Sequence, residues 1–209
     1  MPQVLKPEVR ERIVAAALGA FAARGYAATT MGAIAAEAGV AVANLYRYYP
    51  GKEELFEAVV PSAVVARFER LLDRSVRAHA HLAGVARGGD EGAARELLEF
   101  WIEQRLVVVL LLTRSAGTPH DGFGQRFVER LVNLALAEIR AAHPGVGVPR
   151  EARLVLGQIF DNTRRMIAAI LESSGDEREI RRSVAAFRAY QVAGLAAFAR
   201  WVVAEAAPG

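Results

Sequence analysis

The chain has 209 residues, 53% of them hydrophobic and 23% charged, which is too apolar for a disordered chain and enough to bury about 70% of the unfolded surface in one large domain or two smaller ones. There is no cysteine, which excludes disulfide scaffolds, cysteine zinc sites and thiol nucleophiles together and suits a reducing cytoplasm. With 26 basic residues against 23 acidic ones the net charge is only +3, so nucleic-acid binding has to be argued from where the charges sit. Met1 to Lys6 reads as a short loose arm with none of the pattern of a secretion leader. Val9, Ile13, Ala16, Ala17 and Phe21 then mark one face of a helix that stops at Gly25.

Two very short helices follow, Met31 to Ala38 and Val42 to Tyr48. Nucleation is too costly for isolated helices below about 12 residues, so these must be held by tertiary packing. The pair Thr29-Thr30 offers a cap for the first piece, Ile34 and Ala38 point inward, Ala35 is small enough for a second helix to cross closely, and Gly39 supplies a turn at positive φ. Val40 and Leu45 bury the second piece against the first. This is helix-turn-helix spacing over residues 29–48, and the second helix of such a unit presents its outer face to the major groove of DNA. Past Pro50-Gly51, Lys52-Glu53-Glu54 places acid near the start of a new helix, which Pro61 either kinks or ends by starting another.

Further along, Gly84 to Gly92, Gly117 to Gly124, Pro144 to Pro149 and Ser173 to Asp176 separate long segments rich in Ala, Leu, Arg and Glu that lack alternating β-branched runs. Their lengths and composition predict an all-α protein. The longest aliphatic run, Leu106 to Leu112, is seven residues, far short of the ~20 of a membrane span. From Arg150 to Glu172 there are two apolar stripes, Leu156, Phe160, Ile167 and Leu171 on one and Val155, Ile159, Met166 and Ile170 on the other. Asp176 and Glu179 form a capping-box pattern that opens the last helix, whose apolar face is widened by Tyr190 and Trp201. Helices apolar on two sides need two partners, the chain's own core and a second subunit.

Patterns of catalysis are missing. His79 and His81 are two apart and face away from each other on a helix, no Glu-x-x-His is present, Gly145-x-Gly147 does not open a dinucleotide loop, and there is no Gly-x-Ser-x-Gly elbow. Asp161 beside Asn162 and Arg165 reads as a polar patch on a helix. The expectation is a protein that is not an enzyme, with no metal and no cofactor.

From Arg12 to Leu55 one register of residues agrees throughout: Arg12-Ile13, Ala16-Ala17, Phe21, Gly25-Tyr26, Thr29-Thr30, Ile34-Ala35, Ala38-Gly39-Val40, Leu45-Tyr46 and Tyr48-Tyr49-Pro50-Gly51-Lys52-Glu53-Glu54-Leu55. On these residues the sequence resembles the TetR family of bacterial transcriptional regulators. It departs from the family at Ala41, Val42 and Ala43, where a serine, a charged residue and a glycine are common, so the recognition helix lacks a hydroxyl cap and reads with apolar side chains. The resemblance implies a helix-turn-helix DNA-binding domain over residues 6–53 and a helical regulatory and dimerisation domain over 54–206. It also implies a cytoplasmic, nucleoid-associated homodimer on a palindromic operator, a repressor more often than an activator, released by a small effector.

Within that frame Asn44 pairs with adenine or bonds its own backbone, Arg47 reaches guanine, a phosphate or only water, and Val42 and Ala43 touch a thymine methyl or pack the groove floor. Thr30, Tyr48 and Lys52 are placed for phosphate oxygens. Tyr46 and Tyr49 read as core. For the dimer the candidates are Phe160, Ile167, Phe187, Tyr190, Gln191, Gly194 and Phe198, with Gly194 allowing close approach. A mostly apolar effector cavity, for an aromatic or lipid-like ligand, would draw on Phe100, Trp101, Gln104, Phe123, Phe127, Gln158, Asn162 and Met166.

Overall fold

The structure, a computed structural model, describes residues 6–80 and 91–205. Among these residues the chain forms helices α1 (Pro7–Arg24), α2 (Met31–Ala38), α3 (Val42–Tyr48), α4 (Lys52–Val59), α5 (Ser62–Ala80), α6 (Glu91–Glu103), α7 (Arg105–Thr113), α8 (Phe123–Ala142), α9 (Arg150–Ser173) and α10 (Glu177–Glu205), and no strand. They group into two compact units, one running to Arg67 and including Leu106–Phe123, the other formed by Phe68–Arg105 and the chain from Gly124 onward. The glycine-rich stretch after His81 and the histidine pair at 79 and 81 lie outside the described side chains.

In the first unit α1 buries Ile13, Ala17, Ala20 and Phe21, and Gly25 ends it at φ 80° with its N–H donating to Phe21 O at 2.9 Å. Phe21 packs against Tyr26 at 5.5 Å and Phe56 at 5.6 Å, Tyr26 meets Phe56 edge-on at 5.2 Å, and Phe56 lies 6.1 Å from His120. This unit takes in α4, where Leu55, Phe56 and Val59 are buried and Phe56 joins the aromatic cluster, and the 106–123 segment, whose His120 lies against Phe56. Every residue from Val107 to Leu112 is buried. The aliphatic run is therefore the interior of a nine-residue helix, and no helix among the described residues is long and apolar enough to cross a membrane. Pro61 starts a new helix: α4 closes with Val60 N–H on Phe56 O at 2.8 Å, and α5 opens with Val64 N–H on Pro61 O at 2.8 Å.

The second unit holds a cluster of phenylalanines whose rings are tilted against one another. Phe68 of α5 lies 5.5 Å from Phe100 of α6 and 6.4 Å from Phe127 of α8. Arg130 grips Asp73 through two guanidinium nitrogens. Arg181 of α10 reaches Glu99 of α6 at 2.5 Å and Glu177 at 2.6 Å, and the Arg181 hydrogen bond holds the Glu99 carboxyl below its usual range. Burial alone would raise Asp161, yet Arg164 at 2.5 Å and Arg165 at 2.8 Å together keep its carboxyl below the usual range. Asp161 is thus a charged surface group held by two arginines, and it contributes stability that is lost as pH falls through its lowered pKa.

The two stripes of α9 take places opposite to those expected from sequence. Ala152, Leu156, Phe160, Thr163, Ile167 and Leu171 are buried in the unit's own core, so Phe160 and Ile167 are not available to a second subunit. Gln158, Asn162 and Met166 are exposed on the other face and do not turn inward with Phe100, Trp101 and Phe127, which are buried. The physical reason lies in the amides. Burying Gln158 and Asn162 unpaired would cost more than exposing Val155 and Met166.

Candidate nucleic-acid interface

The helix-turn-helix is assembled by local chemistry. Thr30 caps α2, its Oγ1 accepting from Ala33 N–H at 3.1 Å, and Gly39 ends α2 in the left-handed region at φ 65°. The buried Thr29 hydroxyl donates to Gly25 O at 2.7 Å and fixes the loop between α1 and α2. Ile34 and Ala35 of α2 and Leu45 of α3 are fully buried, while Val40 in the turn is half-buried. α3 begins at Ala41 without a side-chain cap, so it is held mainly by Leu45 and by Tyr49 just beyond its end. Tyr49 is buried, and its hydroxyl accepts from Arg10 Nε of α1 at 3.2 Å.

That arrangement leaves the outer face of α3 open. Val42 is 45% exposed, Ala43 and Arg47 are exposed, and Asn44 is half-buried with a carboxamide that makes no hydrogen bond to the described residues. Tyr46, expected in the core, is 48% exposed. On a seven-residue helix the inward stripe is filled by Leu45 and Tyr49, and the residue after Leu45 is turned about 100° away from it. Tyr46 therefore joins the open face.

The three residues expected at phosphates sit at the rim with different engagements. The Thr30 side chain is exposed while it caps α2. The Tyr48 hydroxyl accepts from the Lys6 amide at 2.9 Å and lies 3.4 Å from the Lys6 carbonyl, so it ties the start of α1 to the recognition helix. Lys52, the first residue of α4, donates from Nζ to Tyr26 O at 2.9 Å and Thr29 O at 3.0 Å, with the ammonium 4.3 Å from the centre of the Tyr26 ring. Nothing in the local sequence signals this clamp, since its partners lie 23 and 26 residues away. Two of the three ammonium N–H groups are spent inside the domain and one remains for an outside oxygen.

Within the second unit α9 and α10 form an open groove of about 330 Å³, lined among others by Asn162, Phe187, Tyr190, Gln191, Gly194 and Phe198. Gln191 Nε2 donates to Thr163 Oγ1 at 2.6 Å and pins the two helices together. Tyr190 is 72% exposed, and a Cβ built on Gly194 would meet nothing within 4 Å. Five of the expected dimer residues thus share one surface with Asn162, a residue that the sequence places in the effector cavity. Of the other expected cavity residues, Phe100, Trp101 and Phe127 are buried and Gln104 half-buried in the second unit, while Phe123 belongs to the first.

Comparison with known proteins finds that residues 13–59 match the family model described as bacterial regulatory proteins, tetR family. A stretch of 60 residues, 29% of the chain, is 43% identical to the nucleoid occlusion factor SlmA of Pasteurella multocida (strain Pm70), covering 30% of that protein. Over 67 residues, 32% of the chain, it is 43% identical to the HTH-type transcriptional repressor KstR of Rhodococcus jostii (strain RHA1), again over 30% of that protein. The chain thus matches less than a third of the length of these curated relatives. Among solved structures, the transcriptional regulator FadR from Bacillus subtilis aligns with 92% of this chain and 97% of its own at 16% identity and a TM-score of 0.45.

Proposed function

We propose that the chain, whose residues 13–59 match the model of the tetR family of bacterial regulatory proteins, is a homodimeric DNA-binding regulator of that family, a repressor of transcription that a small hydrophobic effector releases from a near-palindromic operator. The observation that carries this is the outer face of α3, where Val42, Ala43, Asn44, Tyr46 and Arg47 stand open above a fully buried Leu45. Residues 41–52 carry Arg47 and Lys52 and no acid, which suits approach to a polyanion. On this reading residues 6–53 read DNA, 54–206 regulate and dimerise, and the protein works in the cytoplasm on the nucleoid. Effector and operator need only prefer different conformers of the dimer for one to weaken the other.

Selection of bound sites from random DNA tests the proposal. Two recognition helices related by a two-fold axis read half-sites on one face of the duplex, so the selected sequence is a near-palindrome with half-site centres about 34–36 Å apart or a little more. Binding with no sequence preference, disappearing equally for all DNA as salt rises, would overturn it. Asn44→Ala is expected to relax preference at one base step by about 1–3 kcal/mol, measured as the affinity ratio of the selected site to its single-base variants. An unchanged ratio at every position removes Asn44 from the base contacts.

A further inference from the structure

We infer that the second unit holds a recognition point for a hydrogen-bond acceptor oxygen on an otherwise apolar ligand, with the indole N–H of Trp101 as its donor. This deepens the effector part of the reading above and rests on it. Leu97, Phe100 and Trp101 on α6 and Gln104 just past its end recur at the spacing of one helical face. Phe100 is fully buried, Trp101 is 9% exposed and Gln104 is half-buried. The Trp101 Nε1 atom is buried and has no hydrogen-bond partner. A buried indole ordinarily satisfies its N–H, because an orphaned donor in a medium of low polarity is costly, and a phenylalanine would fill the same space without that penalty. An indole left unpaired at the end of an otherwise apolar helix face points to an acceptor that arrives with a ligand.

The surroundings fix the rest of the ligand's character. Phe100, the residue beside Trp101, lies tilted against Phe68 at 5.5 Å, and Phe68 against Phe127 at 6.4 Å, so helices α5, α6 and α8 contribute aromatic rings to the same unit as Trp101. Gln104, one turn on, brings a carboxamide to the polar end of that face. Next to it, Arg105 is held by donating Nη1 to Leu171 O at 2.9 Å. An apolar wall with a few directed polar groups is the usual construction of a small-molecule site. The ligand class is therefore an apolar body carrying one carboxylate or carbonyl oxygen.

The test compares 4-phenylbutyrate, 4-phenyl-2-butanone and butylbenzene, which share a body and differ in the oxygen. Trp201→Phe leaves Trp101 as the single indole of a chain that has two tryptophans, and calorimetry gives the affinities while fluorescence reports on Trp101. Both oxygen-bearing probes, or one of them, are expected to bind about tenfold or more tighter than butylbenzene and to change the Trp101 emission. Whichever binds tighter says whether the acceptor is charged or neutral. Adding Trp101→Phe is expected to bring all three within about threefold of one another. If that variant fails to fold by circular dichroism, Gln104→Leu decides instead, weakening the oxygen-bearing probes severalfold and sparing butylbenzene. Equal binding of all three to the parent, binding of none, or a preference that the deciding variant leaves undiminished overturns the inference. Operator selection with the Trp201→Phe chain separates the two proposals. A chain that selects an operator but shows no oxygen preference refutes only the Trp101 site, and one that shows the preference but selects no operator refutes the regulatory reading.

Discussion

Arginine placed at both Tyr190 and Gly194 is expected to give a folded monomer whose operator affinity is about 100-fold or more below that of the parent. Tyr190 is 72% exposed in the single chain, its ring contact being with Phe187 at 6.5 Å, and Gly194 faces open space, so the two substitutions leave the buried packing of the protomer in place. If the α9–α10 groove is covered by a second copy, two guanidinium groups per protomer are pressed into an apolar contact with no counter-charge. Breaking into such a contact with unpaired charge costs on the order of 3–5 kcal/mol. Phe187 and Phe198 are half-buried, and arginine there would damage the fold as well, so the exposed pair gives the cleaner result. Loss of the dimer makes the two half-sites independent and removes the effective concentration that links them. Light scattering, a melting curve and an operator titration check the three parts. A double variant that remains dimeric, or a monomer that binds as tightly as the parent, places the dimer contact on another surface.

The short helices around residues 30–48 were legible because their ends are written in local chemistry. Thr30 accepts the Ala33 N–H in the first turn of α2 and Gly39 supplies the left-handed turn, and both effects act within a few residues of the signal. The placement of α9 was not legible in the same way, since periodicity displays two apolar stripes without saying which one the chain keeps for itself. Composition within the stripes held the answer. The buried one continues through Ala152 and Thr163, small enough for close helix contact, whereas the exposed one is interrupted by Gln158 and Asn162. Tyr46 was misplaced because a tyrosine beside a buried leucine reads as apolar matter. Tyr49, read as core from the sequence, is indeed buried one turn after Leu45, and it is Tyr46 alone that the fold turns outward.

Lys52→Met is expected to lower stability by about 1–3 kcal/mol and to weaken binding to all DNA sequences alike. A lysine at the first position of α4 sits at the positive end of the helix dipole, an unfavourable place for a cation. Something specific has to hold it there. The Tyr26 and Thr29 carbonyls at 2.9 and 3.0 Å and the Tyr26 ring at 4.3 Å supply that hold, and they fasten the start of α4 to the loop that leads into the cap of α2. Methionine keeps the length and apolar stem of lysine, so what it removes is the pair of charge-assisted hydrogen bonds and the cation over the ring. Partial exposure of Lys52 puts the loss toward the lower end of that range. The two carbonyls leave one N–H for a phosphate oxygen to use, and losing one phosphate contact reduces the slope of log affinity against log salt by about one. Thermal melts and operator titrations at several salt concentrations separate these effects. A lowered melting temperature with an unchanged slope would make Lys52 a clamp that never touches DNA, and a variant with parental stability and slope would remove it from both roles.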